Sequence, residues 1–443
     1  VDGHDYIDKA LERGAVALVV QKPVAVSVPY LLVPDTRFAM AVLADHFYGH
    51  PSQALKVIGI TGTNGKTTTA HLIDTLLRDA GHRADLMGTI AMRIGEETIP
   101  AKNTTQEALE LHRNLRRMAD GGADYAVMEV SSHALVLGRD KGVRYKTAVF
   151  TNLTQDHLDF HKTMDEYKAA KGLLFARLGN TYAGVDSQVA ILNADDPASA
   201  DYAALTSAEV ITYGIDAQAD VRATDVRVHT GGTSMNVQTY VGEQAFELKL
   251  VGKFNVYNTL AAIAVGLVEG LSLAQMAASL ANIPGVNGRF EPVVAGQPFL
   301  CIVDYAHTPD SLENVLQTIE GFADGRIITV FGCGGDRDRT KRPLMGAIAS
   351  RMSDITIVTL DNPRTEDPQA ILDEIVTGIV EHAEYEVIEN RADAIKKAIE
   401  IARPQDVVLI AGKGHETYQE IHGVRTDFDD REVAKSAIRG KFA

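Results

Sequence analysis

The sequence predicts an α/β protein built from three domains. Residues 1–53 form a small N-terminal unit. Residues 54–286 form a central P-loop domain whose mostly parallel sheet carries a small antiparallel appendage, and residues 287–443 form a doubly wound, Rossmann-like domain. Three observations carry this. Apolar β-branched runs alternate with helical periodicity along most of the chain, as in parallel sheets. The alternation restarts after a breaker cluster, Asn282-Ile-Pro-Gly-Val-Asn-Gly288. A length of 443 residues also exceeds what one core usually organises.

In the first unit, residues 5–13 and 37–48 read as helices and 15–20 and 30–33 as strands. The unit is too short to bury much core. The chain opens on Val1, not Met, and its first helix follows at once, so it is expected to begin part-way into that domain.

The central domain is organised around Lys56-Val-Ile-Gly-Ile-Thr-Gly-Thr-Asn-Gly-Lys-Thr-Thr68. A β-branched run ends in glycines and leads into a helix with Ile73, Leu76, Leu77 and Ala80 on one face. Strand, glycine turn and helix N-terminus present unpaired N–H groups to a phosphate. Lys66 adds a charge and the Thr67 hydroxyl can ligate Mg²⁺. The standard pattern places glycine at position 60, where this chain has Ile60, so the loop is a variant; a tight turn that binds nothing is the alternative. Strands follow at 125–130, 148–152 and 189–193. Between about 220 and 250 short alternating strands (226–228, 235–240, 246–250), with turn residues such as Gly231-Gly232, read as the antiparallel appendage. Helices at 258–269 and 273–280 close the domain. The last domain has strands at 299–303, 327–331, 355–360, 385–388 and 407–411, each followed by a helix.

Composition narrows the partners. Hydrophobic residues make up 45% of the chain, and the net charge of −16 argues against nucleic acid or an anionic membrane. No signal peptide or apolar span of about 18 residues is present, so a cytoplasmic protein without membrane insertion is expected. The two cysteines, Cys301 and Cys333, read as reduced thiols beside apolar strands.

Polar residues gather just past strand ends, where open α/β sheets bind ligands. Glu129 ends an apolar strand and can serve a Mg²⁺ opposite the P-loop, or merely cap a helix. The stretch Thr151 to Asp159, which includes Asp156 and His157, can position a metal or phosphate, or form turns. Lys171 falls on the apolar face defined by residues 167, 170 and 174; burial there would favour a neutral amine able to form a carbamate, and snorkelling is the alternative. In the last domain three polar loops (332–343, 361–364 and 412–416) follow successive strands. Arg337 and Arg364 suggest a carboxylate-bearing substrate.

Taken together these motifs resemble the Mur ligases. The resemblance rests on T-G-T-N-G-K-T-T at 61–68, E-V-S-S-H at 129–133, D-H-L-D-F-H at 156–161, Lys171, and Asn255/Asn258. It continues through N-G-R-F-E at 287–291, D-Y-A-H-T-P at 304–309, G-G-D-R-D at 334–338, D-N-P-R at 361–364 and G-K-G-H-E at 412–416. It implies a monomeric enzyme using ATP and Mg²⁺ to form an amide on UDP-N-acetylmuramoyl-L-alanyl-D-glutamate through an acyl phosphate. The D-N-P-R motif implies meso-diaminopimelate, not lysine, as the added amino acid.

Residue by residue, the resemblance implies that Gly62, Thr63, Asn64, Gly65, Lys66, Thr67 and Thr68 hold ATP, with Asn258, Arg289 and Asp304 beside it. Thr104, Thr105, Ser131 and Arg139 would touch the UDP-sugar peptide. Arg337, Asp361, Asn362, Pro363, Arg364, Gly412 and Glu416 would hold the amino acid. Lys66, Glu129, His157 and Lys171 would be catalytic, with Thr67, Glu129, His157 and a carbamylated Lys171 at the magnesium sites. Leu137 stands where relatives often carry a substrate-contacting glutamine, and the uridine-binding part of the first domain would lie upstream of Val1. Two alternatives are a folylpolyglutamate synthetase-like ligase, which lacks D-N-P-R, and a nucleotide-dependent switch, which needs no second anion site.

Overall fold

The computed structural model describes residues 2–101, 103–179, 187–229 and 232–442. Val1 and Gly231 of the expected turn lie outside the described residues, as does Ala443. The centre of the molecule is the strand Lys56–Thr61, hydrogen-bonded in parallel to Tyr125–Glu129 on one side and Tyr145–Phe150 on the other. Its side chains alternate. Ile58 and Ile60 enter one core and Val57 the other, so the strand is buried on both faces. Ile60 is fully buried, which accounts for an apolar side chain where the standard loop has glycine.

This strand sits inside an 11-stranded sheet. Beyond Tyr145–Phe150 come Val189–Asn193, Glu209–Gly214 and Val221–His229, all parallel, then Gly232–Thr239 and Gly242–Leu248, both antiparallel. The antiparallel strands are thus hydrogen-bonded to the edge of the main sheet. Their apolar residues, among them Met235, Val237 and Phe246, join the core that also buries Leu72, Ile73 and Leu76 of the P-loop helix. On the opposite side Ala84–Met87 leads into a second antiparallel edge, the four-residue strands Ala91–Ile94 and Glu97–Pro100, which are not among the elements expected from the sequence.

Helices Lys66–Asp79, Lys253–Val268 and Leu273–Leu280 cover one face; Ala108–Asp120, Met164–Ala176 and Ala198–Leu205 cover the other. The helix expected from residue 258 begins at Lys253, behind Gly252, whose φ of 106° ends the preceding segment.

The C-terminal sheet has six strands in the order Glu291–Pro292, Leu300–Asp304, Val407–Ala411, Ile327–Phe331, Ile355–Val358, Tyr385–Val387. Only the first pairing is antiparallel. Helices Pro309–Glu320, Lys341–Met352 and Pro368–Val376 pack on one face, and Arg391–Ile401 and Asp430–Phe442 on the other, a doubly wound arrangement. The helix expected from Pro343 begins at Lys341. Pro343 sits in its first turn, where a missing N–H costs nothing.

The N-terminal unit contributes two short parallel strands, Leu18–Val20 and Tyr30–Leu32, and the helix Thr36–Phe47, which lies against Ala108–Asp120. Its core is thin: Val20, Ala41 and Ala44 are buried while Leu31, Leu32 and Phe47 face solvent.

Candidate active site between the central and C-terminal domains

Glycines are obligatory at two points of the loop joining Lys56–Thr61 to its helix. A Cβ on Gly62 would stand 1.8 Å from Thr151 Oγ1, and one on Gly65, at φ 83°, would stand 2.3 Å from Asn258 Oδ1. Lys66 folds back so that Nζ donates to the carbonyls of Gly62 and Thr63, at 2.9 and 2.8 Å. Burial holds its pKa below the usual lysine value. The Asn64 backbone N–H donates to Asn152 Oδ1 at 2.9 Å.

Thr67 Oγ1 donates to Glu129 Oε2 at 3.0 Å, joining the P-loop helix to the neighbouring strand end. Glu129 is buried and also accepts from the backbone and hydroxyl of Thr89, at 2.7 and 2.9 Å. The substrate candidates gather at the same strand end. Thr89 and Thr104 hydroxyls lie 3.1 Å apart, Thr105 Oγ1 donates to the Glu129 carbonyl and accepts from the Ser131 N–H, and Arg139 donates to the Thr105 carbonyl. Arg139 also pairs with Glu107 at 2.6 Å.

Lys171 is buried on the Met164–Ala176 helix, as its position on the apolar stripe requires, and is no snorkelling lysine. Its Nζ donates to the Gly62 carbonyl at 2.8 Å and lies 4.3 Å from the centre of the Tyr167 ring. Burial, and then the nearby Lys66 charge, drive its pKa well down, so the amine is held toward its neutral form. His157, in a left-handed conformation at φ 57°, approaches Asp156 with 3.3 Å between Nε2 and Oδ2; burial pushes its pKa down to about 3.

Six of the nucleotide candidates, from distant stretches, line one cavity of about 720 Å³, while Gly62, Thr63, Lys66 and Thr67 do not line it. Asn64, Gly65, Thr68, Asn258, Arg289 and Asp304 all face it. Asn258 Oδ1 accepts from Thr69, Arg289 donates to Thr67 Oγ1 at 3.1 Å, and Asp304 accepts from the Phe290 N–H at 2.6 Å. Burial raises the Asp304 pKa to about 6. A cradle of this size, with glycines whose Cβ atoms would collide, fits a nucleotide. Thr67 and Glu129 offer the hydroxyl and carboxylate oxygens that a Mg²⁺ takes beside phosphate oxygens and water. Among the described residues no three His, Cys, Asp or Glu converge into an all-protein cage, and Mg²⁺ needs none. A larger apolar cavity of about 1120 Å³, lined by Tyr6, Met40, Phe47 and Leu109, touches none of these residues.

In the C-terminal domain the amino-acid candidates occupy three adjoining loops. Asn362 donates to Glu416 Oε2 at 2.8 Å and accepts from Lys413 Nζ at 3.0 Å. Burial, and then Asp361, raise the Glu416 pKa. A Cβ on Gly412 would stand 2.7 Å from Asp361 Oδ2, and one on Gly335 would stand 1.9 Å from the Pro363 carbonyl, so these loops touch without room for side chains. Arg364, at φ 55°, donates to the Gly335 carbonyl at 2.6 Å; Arg337 is exposed and donates to the Asp336 carbonyl.

Sequence reasoning missed three residues. Thr89 shares the Glu129 carboxylate, Lys413 is a fully buried lysine in the acceptor loops, and Asp310 accepts from Asn64 Nδ2 at 2.7 Å across the domain boundary. Asp310 follows Thr308-Pro309 and reads as a helix start, a role it also fills; nothing local signals a partner 246 residues away.

Comparison with known proteins agrees with this arrangement. Residues 60–266 match the Mur ligase middle domain and residues 288–414 the Mur ligase glutamate ligase domain. A Bacillus cereus protein named UDP-N-acetylmuramoyl-L-alanyl-D-glutamate--2,6-diaminopimelate ligase is 53% identical over 100% of this chain and 90% of its own length. A solved structure of an enzyme of the same name is 36% identical, covers 99% of this chain and 90% of its own, and superimposes with a TM-score of 0.69. Mycobacterium tuberculosis folylpolyglutamate synthase complexed with ADP reaches a TM-score of 0.70 at 20% identity, over 85% of this chain and 92% of its own, a likeness of fold alone. From its motifs, its architecture and these matches, the chain belongs to the Mur ligase family.

Proposed function

We propose that this protein is an ATP-dependent amide ligase that adds meso-diaminopimelate to UDP-N-acetylmuramoyl-L-alanyl-D-glutamate during synthesis of the peptidoglycan precursor. One observation carries the reading: the phosphate-binding loop and the C-terminal residues Arg289, Asp304 and Asp310, far apart in sequence, line or bridge one interdomain cavity, and the loop that carries Arg337 reaches the central domain, where Thr340 accepts from Gln155 at 3.2 Å.

The terminal D-glutamate carboxylate attacks the γ-phosphorus of ATP, the bond to ADP breaks, and an acyl phosphate forms. The diaminopimelate amine then attacks the acyl carbon, and phosphate leaves. Lys66, Arg289 and the loop N–H groups hold the phosphates in line and offset the charge that develops. Thr67, Glu129 and His157 would hold Mg²⁺, which would supply further neutralisation of phosphate charge. Thr104, Thr105, Ser131 and Arg139 orient the peptide end of the UDP substrate. Arg364, Asn362 and Glu416 orient the amino acid, and a guanidinium suits the distal carboxylate that distinguishes diaminopimelate from lysine.

Lys171 is a candidate for carbamylation. Its neutral amine can add CO₂, gaining an N–C bond and losing a proton, and the remaining N–H can keep the bond to the Gly62 carbonyl. The division of labour follows the three segments 1–53, 54–286 and 287–443, which take the UDP substrate, ATP and the amino acid. The proposed enzyme is a cytoplasmic monomer acting on small molecules. Among the described residues no helix is long and apolar enough to cross a membrane.

The test is phosphate release from ATP and UDP-N-acetylmuramoyl-L-alanyl-D-glutamate, supplied with diaminopimelate, lysine or neither. Release that requires diaminopimelate is expected. Release without any acceptor would overturn the ligase reading, and a preference for lysine would overturn the choice of amino acid.

A further inference from the structure

Two loops of the C-terminal domain carry the arginines assigned above to the amino acid, Arg337 on one and Arg364 on the other. Neither loop is regular, and each follows a different strand of the same sheet. A small hydrogen-bond network holds them against each other, and one carboxylate, that of Glu366, stands at its centre. Glu366 accepts two hydrogen bonds from the buried guanidinium of Arg342, from Nη2 to Oε1 and from Nη1 to Oε2, at 2.8 and 2.9 Å. The same Oε1 accepts from the Asp336 N–H at 2.5 Å, the residue next to Arg337. Arg342 in turn donates to the Gly334 carbonyl and to Glu374, so its position is held from two further sides. Returning bonds tie the second loop to the first. Asp336 accepts from the Thr365 hydroxyl at 2.8 Å, the Gly335 N–H donates to the Asn362 carbonyl at 2.9 Å, and Arg364 donates to the Gly335 carbonyl at 2.6 Å.

We infer that Glu366, clamped by Arg342, is a positioning residue for acceptor specificity: it sets the spacing between the Arg337 and Arg364 loops and so the fit of an amino acid with a distal carboxylate. The inference rests on the acceptor assignment proposed above. Three features support a ruler over a generic structural ion pair. The contact is bidentate, which fixes orientation as well as distance. It engages both loops at residues adjacent to or within two positions of the candidate arginines. Arg364 is also held at a positive φ, a conformation that a bulky side chain keeps only when its surroundings impose it.

The test compares wild type with Glu366→Gln, which keeps shape and loses charge, and Glu366→Asp, which keeps charge and shortens the reach. Kinetics are measured with diaminopimelate and with lysine, with the KM for ATP and thermal unfolding as controls. Wild type must first show dependence on diaminopimelate; without it the functional assignment fails, not the clamp. Given that dependence, Glu366→Gln is expected to raise the KM for diaminopimelate at least tenfold. The ratio of kcat/KM for diaminopimelate over lysine should fall by a similar factor, while the KM for ATP stays within about twofold. Glu366→Asp should recover part of the ratio. An unchanged ratio in both variants, whether kcat is kept or lost together with thermal stability, would overturn the positioning role.

Discussion

The side-chain nitrogen of Lys171 donates to the carbonyl of Gly62 at 2.8 Å, which puts a buried lysine of a separate helix directly against the phosphate-binding loop. Lys66 bonds the same carbonyl at 2.9 Å, so two lysines share one oxygen; burial first, and then the like charge, discourage protonation of Lys171. Lys171→Ala is expected to lower kcat by roughly 10²–10³-fold, the scale for losing one group that stabilises transition-state charge. Added bicarbonate should not restore it. A carbamate carbon resonance from labelled bicarbonate should be visible in wild type and missing in the variant; full activity in Lys171→Ala would refute the role.

Glu129 offers a second measurement, because it holds Thr67 and Thr89 together. Glu129→Ala leaves the Thr67 hydroxyl and the Thr89 N–H without their acceptor in a buried place, at a cost of about 1–3 kcal/mol in denaturant unfolding. Glu129→Gln keeps one accepting oxygen and should lose much less stability. Both should need more Mg²⁺ for half-maximal activity. A Gln variant with an unaltered Mg²⁺ requirement would remove Glu129 from the metal's neighbours.

Asp304 makes stability depend on pH. Burial raises its folded pKa to about 6, above the ordinary value of 3.8, so the folded state binds its proton more tightly than the unfolded chain does. The resulting stability is present in full below about pH 4 and is lost as pH rises through about 6, a change on the order of 2–3 kcal/mol. Asp304→Asn cannot ionise and can still accept from the Phe290 N–H. Its melting temperature relative to wild type should therefore climb between pH 4 and pH 6.5, then level off. A flat difference across that range would show that Asp304 ionises normally.

Arg364→Ala should raise the KM for diaminopimelate by an order of magnitude or more while the KM for ATP changes little, since losing one half of a guanidinium–carboxylate pair costs about 1.5–3 kcal/mol. Unchanged diaminopimelate kinetics would take Arg364 out of the acceptor pocket.

How much of this was readable without coordinates differs by residue type. The P-loop and its helix were readable because their signals are local: a β-branched strand, glycines at forced turns, and a 3.6-residue apolar stripe. The doubly wound last domain was readable for the same reason. The edge strands Ala91–Ile94 and Glu97–Pro100 were not, because each is only four residues long, too short for an alternation to register.

The sequence by itself determined the identity of the pieces: where phosphate can bind, that Lys171 lies on an apolar helix face, and that arginines follow strands in the last domain. Only the tertiary structure decided what those pieces meet. Asn64 finds Asp310, Arg289 finds Thr67, and Glu366 finds Arg342, at 2.7, 3.1 and 2.8 Å. The physical reason is that turn and helix signals arise from neighbours a few residues away, whereas a hydrogen bond between distant segments depends on the order of strands within a sheet and on how two sheets are packed, and no short stretch of chain encodes that.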